Sequence, residues 1–526
     1  MMQKSAGAEK PIHETISTPF RSFLTVIIMT GSFIAILDTT VVDVVIPKMM
    51  GPLSTDLYGI QWVITSYMTA AAIALLLTHN LSHVIGLKRL FVTGIFIFTG
   101  ASAMCGIAQS LETMILFRAV QGAGEAFIMA SAQTMLFSIY PPDKKGLAMG
   151  IYAMGVSFAP SLGPTVGGWI TEHMSWRWVF YINLPIGVIN MAAAAFFLPV
   201  IVHDKIRLRF NFISYFFIGC FTLFTLILLS KGQQYGWFQS TKIGLMAFGA
   251  AIAFLSFLLS EMLSEHKLID PEIFKNHIYT LSLGFYFFIL GLSIYQLFYL
   301  LPLYYENLKL LGTFDTGIHM LAFAIFIAIF SPLAGILSDR FGPQRVLTFS
   351  CLLYLFTTWF LMPSLNYYTP SVRAAIITIP LGIGLGALFA PLSAMALGNL
   401  GDKTAQGVSL MHYLRFIGGS FGTAIATNVL EKKIAVHIEG IGFTQNLQYV
   451  RNFTENTALR LLRLFPPKIA AAKGHLFTAK IQGLHAMSFA FQDTFRNTFF
   501  FALIGTLFFV GIIIVKQRQT RHAETK

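Results

Sequence analysis

Long apolar runs alternate with short polar joints along almost the whole chain. A membrane-spanning helix needs roughly 20 mostly apolar residues, and about fourteen runs meet that length. The first six cover approximately 22–47, 57–79, 90–109, 112–139, 147–170 and 178–200. A further pair covers 210–230 and 242–262. The last six cover 278–303, 316–337, 346–363, 373–397, 405–430 and 496–515. The pattern predicts an all-α polytopic membrane protein. Its expected divisions are a tail (1–21), a first half (22–200), a linker with two extra helices (201–275), a second half (276–515) and a closing tail (516–526). One long joint, 431–495, interrupts the second half. It holds apolar-periodic stretches at Thr457–Phe465 and Ala479–Phe491, separated by Pro466-Pro467, and these read as short interfacial helices.

Charges in the joints set an expected orientation, because basic residues collect in cytoplasmic loops. Lys88/Arg89, Lys144/Lys145, Lys205/Arg207/Arg209, Lys267/Lys275, Arg340/Arg345, Lys403 and the closing tail lie on one side. The other side holds few, apart from 431–495, and long loops cross regardless of charge. Both termini are therefore expected in the cytoplasm, with the protein in the inner (plasma) membrane. Met1 to Pro19 is polar and lacks the pattern of a cleaved signal, so the first run is expected to remain as helix one.

Composition agrees. Only 11% of the 526 residues are charged and mean hydropathy is +0.69, too little charge to cover a soluble surface. The net charge of +13 resides in the joints, so topology accounts for it and nucleic acid is not an expected partner. Cys105, Cys220 and Cys351 sit singly in apolar runs and suggest neither metal nor disulfide. No cofactor is expected.

Two joints repeat one pattern. His79–Phe91 reads HNLSHVIGLKRLF and Gly335–Leu347 reads GILSDRFGPQRVL. Repeated halves with a substrate site between them are a common transporter build. The extra pair lacks internal ionisable residues except Glu261 and reads as lipid-facing filler.

Ionisable groups inside spans mark candidate function. Helix one carries Asp38 and Asp43, about 140° apart around its axis. Helix four carries Arg118, Gln121 one turn on, and Glu125 two turns on. A desolvated carboxylate trades a proton near neutrality, and a neighbouring Arg resets it, so Asp38, Asp43, Arg118 and Glu125 are the candidate proton-coupling set. Asp38 is the candidate partner for Arg118, with a purely structural bond as the alternative. Helix five concentrates Pro160, Gly163, Pro164, Gly167 and Gly168, which suggests a hinge or a close helix contact. His412 and Arg415 in helix thirteen mirror the polar positions of helix four, and His319 lies in helix ten. These with Gln121 are candidates for the substrate path or for structural bonds.

At these residues the chain resembles the fourteen-helix drug:proton antiporters of the major facilitator superfamily, the EmrB/QacA type. Helix one is similar to that family's pattern at Leu37, Asp38, Thr40 and Pro47. Helix four is similar at Arg118, Gln121 and Gly122, and helix five at Gly163, Pro164, Gly167 and Gly168. Trp176–Gly187 and Ala486–Phe495 also resemble family signatures. The resemblance implies two six-helix halves plus two extra central helices, alternating access, and export driven by protons. It implies that Arg118 tunes a carboxylate on helix one or four. It also implies a cytoplasmic gate latch in the repeated joint, here His83 and Gly86 in copy one and Gly335, Asp339, Arg340 and Gly342 in copy two. Copy one departs from the family with His79 for Gly and His83 for Asp. Asp43 and Glu125 stand where the family usually has Asn and a small residue. Many relatives work with a periplasmic adaptor and an outer-membrane channel, and 431–495 is the candidate contact.

Three readings compete. Export of amphipathic, drug-like molecules comes first, with a dedicated exporter of one metabolite, such as a siderophore, as its alternative. A membrane enzyme would need a hydrolase or metal motif in the spans, and none of His-Glu-x-x-His, Gly-x-Ser-x-Gly or paired ligands occurs there. A sensor would need a sizeable cytoplasmic domain, and the joints on that side are short.

Overall fold

The computed structural model describes residues 12–200, 211–398 and 400–524. The described residues are all-α. The helices are α1 (Thr18–Met49), α2 (Leu57–Ile85), α3 (Leu87–Ile107), α4 (Leu111–Ile139), α5 (Lys145–His173) and α6 (Trp178–Phe197). Then come α7 (Phe212–Lys231) and α8 (Thr241–Leu263). The second set is α9 (His277–Leu308), α10 (Thr313–Phe341), α11 (Pro343–Ser364), α12 (Ser371–Leu397), α13 (Thr404–Gly442) and α14 (Pro467–Glu524). Among the described residues, 12 helices are long and apolar enough to cross a membrane. The other two long helices are α4 and α13. They carry the candidate polar residues Arg118, Gln121, Glu125, His412 and Arg415, and they are placed inside the bundle, where protein rather than lipid surrounds those groups.

Two six-helix halves, α1–α6 and α9–α14, meet along two seams. In one, α5 packs on α10 over its whole length; in the other, α2 packs on α13. Small residues set the first seam. A Cβ on Gly150 would lie 2.5 Å from the Ser331 carbonyl oxygen, and one on Gly317 would lie 2.5 Å from the Thr165 backbone nitrogen. The repeated joints have one backbone form: Gly86 and Gly342 both take positive φ, 84° and 88°, with nothing near their missing Cβ. Glycine is needed there for the turn, not for space.

The extra pair departs from the filler reading. Helix α8 is mostly exposed and apolar, as a lipid-facing helix should be. Helix α7 instead lies across the α2/α13 seam. Thr65 and Ser230 share a hydrogen bond of 2.8 Å with the first half, and Thr222 and the Tyr413 hydroxyl share one of 2.8 Å with the second. Sequence missed this because Ser and Thr bond their own helix as readily as a neighbour, and α7 shows no charge before Lys231 at its very end. The basic joint Lys205/Arg207/Arg209 lies outside the described residues.

Segment 431–495 is also different from the expected loop. Helix α13 runs on to Gly442, a separate helix covers Gln448–Leu461, and α14 starts at Pro467 and continues unbroken through the span. The expected short helix Ala479–Phe491 is thus part of α14, and the run 496–515 is only its apolar portion. Pro467 begins the helix, where its missing N–H leaves nothing unpaired. Lys433 Nζ on α13 holds Asp493 Oδ2 on α14 at 3.0 Å, and Thr454 bonds Thr478 at 2.9 Å. These ties make the segment a packed helical extension.

Candidate functional site

Helix α4 is drawn between α2 and α3 by two glycines. A Cβ on Gly122 would sit 2.2 Å from the Tyr67 carbonyl oxygen, and one on Gly124 would sit 2.7 Å from the Phe98 backbone nitrogen. That fit carries Arg118 and Gln121 to the middle of the first half, where both are fully enclosed. Arg118 Nη1 donates to Asp38 Oδ2 at 2.5 Å and to Gln121 Oε1 at 2.8 Å. Asp38 Oδ1 accepts from Gln121 Nε2 at 3.1 Å and from Asn183 Nδ2 at 2.6 Å. Asn183 also donates to Ser102 Oγ, which donates to the Phe180 carbonyl oxygen. The Arg118 guanidinium lies 4.0 Å from the Tyr67 ring centroid.

Asp38 is 2% exposed and Arg118 1%. Two charges so enclosed are tolerated only when paired and bonded on their remaining sides. Each carboxylate oxygen here has a donor, and removal of one partner would strand the other. Chemically, the arrangement joins a carboxylate on α1 to a guanidinium on α4, a contact that relative movement of the two helices would break.

The sequence paired Asp38, Arg118 and Gln121, and the structure brings them together. It also adds Asn183, Ser102 and Tyr67, which sequence reasoning did not single out. Asn183 lies within the Trp176–Gly187 signature, where a lone Asn in an apolar run was the available signal. Asp43 does not join. Its side chain is exposed, and it makes no hydrogen bond or ion pair among the described residues.

Glu125, 2% exposed, lies deeper along α4 beside the Tyr67 hydroxyl, and its Oε2 has no hydrogen-bond partner. Across the interface, His412 Nε2 on α13 bonds the Tyr152 hydroxyl on α5 at 3.2 Å. Arg415, one turn on, is 6% exposed and acts on Glu125 electrostatically. His319 stays apart: its Nδ1 is 2.8 Å from the Asp315 carbonyl oxygen of its own helix, and its ring lies on Tyr305.

Helix α5 continues through Pro160 and Pro164 as one helix. Its glycines serve close approach: a Cβ on Gly163 would lie 2.2 Å from Thr40 Oγ1, and one on Gly168 would lie 3.0 Å from the Phe314 backbone nitrogen. Gly167 is buried, and its carbonyl oxygen accepts from Thr171 Oγ1.

The repeated joints are unequal. Asp339 accepts from the backbone N–H groups of Gly146 and Leu147 at the start of α5, and Gly335 packs on the Gly146 carbonyl oxygen. Arg340 lies over the neighbouring Phe341 ring. In copy one the rings of His79 and His83 meet edge to face, with centroids 4.6 Å apart. Among the described residues no group of His, Cys, Asp and Glu is arranged to hold a metal ion.

The Major Facilitator Superfamily model matches residues 28–423. The multidrug export protein EmrB of Haemophilus influenzae is 30% identical over 427 residues, covering 79% of this chain and 81% of that one. The riboflavin transporter RibZ of Clostridioides difficile is 30% identical over 441 residues, covering 82% of this chain and 90% of its own. In fold, the chain is similar to the human organic anion transporter MFSD10, with a TM-score of 0.57, 10% identity, and coverage of 92% of this chain and 99% of that one. The chain belongs to the major facilitator superfamily, whose members are membrane transporters rather than enzymes, and multidrug exporters of the EmrB type are among its homologues.

Proposed function

We propose that this transporter exports small amphipathic or drug-like molecules across the inner membrane by alternating access, in exchange for protons. The observation that carries the reading is the buried Asp38–Arg118 pair, tied to Gln121 and Asn183. In this reading Asp38 is the proton carrier. Arg118 holds it ionised in one state and moves off in the other, and Asp43 offers a solvent-accessible carboxylate on the same helix. The gate motif of copy two, centred on Asp339, closes the cytoplasmic end, and both termini lie on that side. The EmrB relative is named a multidrug exporter, which favours broad cargo.

A dedicated exporter of one metabolite is the second reading. It is favoured by a relative of equal identity whose name assigns it one cargo, riboflavin. An adaptor protein and outer-membrane channel would meet the helical extension over 431–495.

The test uses purified protein in liposomes with an imposed proton gradient. Efflux of a lipophilic cation is compared for the unaltered protein, Asp38→Asn and Glu125→Gln. Gradient-dependent efflux lost in Asp38→Asn supports the assignment. Efflux that survives there and fails in Glu125→Gln moves the carrier to α4. No lipophilic cation moved by the unaltered protein points to a dedicated cargo.

A further inference from the structure

Glu125 and Arg415 are opposite charges contributed by opposite halves, both more than nine-tenths buried. They act on one another, yet they form no ion pair. Oε2 of Glu125 and Nε of Arg415 have no hydrogen-bond partner, and neither does Nδ1 of His412 one turn from Arg415. The Arg415 guanidinium lies over the Phe416 ring, 5.8 Å from its centroid. This differs from the Asp38–Arg118 pair a short way along α4, where both oxygens are fully bonded. Glu125 keeps the Tyr67 hydroxyl as a hydrogen-bond partner but has no bonded counter-charge, and neither has Arg415. A buried charge without a bonded counter-charge costs several kcal/mol, so a fold does not keep two of them on opposing halves for stability alone.

Aromatic rings lie near the two charges. Tyr152 and Tyr286 both pack on Phe389, with centroids 5.7 and 5.8 Å away. Tyr295 lies against Gly419, where a Cβ would be 2.9 Å from its ring. Tyr152, Tyr286 and Tyr295 all feel the Arg415 charge. Tyr286 sits where α9 loosens into a π-helical turn, Tyr286–Ser293, a form that recurs at functional sites. The neighbourhood is therefore rich in aromatic rings, with one anionic and one cationic group on opposing halves.

The geometry points to a cargo that is itself amphoteric: a flat aromatic molecule whose cationic centre meets Glu125 and whose carboxylate or similar anionic group meets Arg415. This rests on the export reading and narrows its cargo. Such a molecule satisfies both halves at once, whereas a simple cation leaves Arg415 bare and a simple anion leaves Glu125 bare. A site built around polar partners rejects analogues that leave one unpaired.

Three dyes of one shape test it: rhodamine B, which carries both charges, its ethyl ester, which keeps only the cation, and fluorescein, which is anionic. Binding to the purified full chain and gradient-driven transport in liposomes are both measured. Rhodamine B is expected to bind about tenfold more tightly than either of the others. Arg415→Gln should bring rhodamine B down to the level of the ester and spare the ester. Glu125→Gln should bring it down to the level of fluorescein and spare fluorescein. Arg415→Lys, which keeps the charge, should retain the order of preference and serves as the folding control. Equal binding of rhodamine B and its ester by the unaltered protein, parallel losses for all three dyes in either variant, or no binding of any dye overturns the inference. Gradient-driven transport without charge preference overturns this inference alone. Charge preference without gradient dependence overturns the export reading alone.

Discussion

Asp339 Oδ1 on α10 accepts a hydrogen bond from the backbone N–H of Gly146 on α5 at 2.7 Å, and so joins the two halves. Its second oxygen takes the next N–H, from Leu147, at 2.8 Å. The first N–H groups of a helix have no partner in their own helix, and they carry partial positive charge. A carboxylate from the other half therefore caps this helix end. Asp339→Asn keeps one acceptor and loses the charge, a cost of about 1 kcal/mol at so exposed a helix end. That corresponds to roughly a fivefold rise in opening. Maleimide labelling of a cysteine at Ser331, buried in the seam below, should accelerate by that factor once the native cysteines are replaced.

Asp38→Asn should do more than stop proton-driven flux. It leaves Arg118 enclosed without its counter-charge, which costs about 3–5 kcal/mol. Thermal unfolding in detergent should show a clear loss. Adding Arg118→Gln should recover most of that stability and none of the transport. Recovery of flux in the double variant would remove Asp38 from the coupling role.

Glycines that look alike in the sequence should fail for different reasons. Gly122→Ala forces a Cβ to within 2.2 Å of the Tyr67 carbonyl oxygen, so α2 and α4 must part, at about 1–3 kcal/mol. Gly342→Ala meets no atom, but it strains a backbone held at φ 88°, again at about 1–3 kcal/mol. At 342, where ψ is 138° and lies outside the left-handed helical region that Asn accepts, Ala and Asn should cost about the same, whereas at 122 the larger Asn should cost more than Ala. Thermal stability of the four variants separates the two causes.

The tie between Lys403 and Asp270/Glu272 should leave the pH profile of transport unchanged. Lys403 Nζ lies 2.6 Å from Asp270 Oδ2 and 2.7 Å from Glu272 Oε2. Partial burial pushes the Asp270 carboxyl up, but the hydrogen bond from Lys403 and the Glu272 N–H outweigh it and hold it below its usual 3.8. Bonds from Lys403 and Lys275 hold Glu272 below 4.5, and bonds to Asp270 and Glu272 raise Lys403 above 10.5. Depressed acids give stability that is present above their unfolded values and lost as pH falls through the folded ones. A raised lysine gives stability that is present below its unfolded value and lost as pH rises through the folded one. The tie is therefore constant between roughly pH 5 and 9. Lys403→Met should leave the shape of the flux profile unchanged across that window, and a displaced profile would contradict this.

Helix α7 is expected to restrain the two halves as well as face lipid. Removing two of its polar ties, with Thr65→Val and Tyr413→Phe, should cost about 1–3 kcal/mol in total, since each is one neutral hydrogen bond. Thermal unfolding measures the loss. A double variant as stable as the unaltered protein would return α7 to the filler reading.

Much of the fold was legible because a bilayer asks a simple question of a sequence. Runs long and apolar enough to cross it stand out, as do basic joints. The repeat of Gly86 and Gly342 was visible as letters, and its shared positive φ gives those letters a cause. The Asp38–Arg118–Gln121 part of the site was legible too, because ionisable groups in apolar runs are few and must find one another. Asn183, Ser102 and Tyr67 were not, since uncharged polar residues are common in spans and their partners lie 81 or more positions away in the Asp38–Asn183–Ser102 chain.

The sequence by itself determined that the chain is built of long apolar helices, where the turns between them must bend, and that some ionisable groups lie within those helices. Those follow from local spacing and from the cost of placing charge in hydrocarbon. Tertiary structure decided the rest. It showed that Arg118 chooses Asp38 and not Asp43, that α7 crosses a seam, and that 431–495 is helical. It also showed that Glu125 and Arg415, contributed by opposite halves, are both buried and form no ion pair. Each depends on which helix faces lie together, and that is settled by close packing at residues such as Gly122, Gly163 and Gly291, where a single added carbon would keep the helices apart.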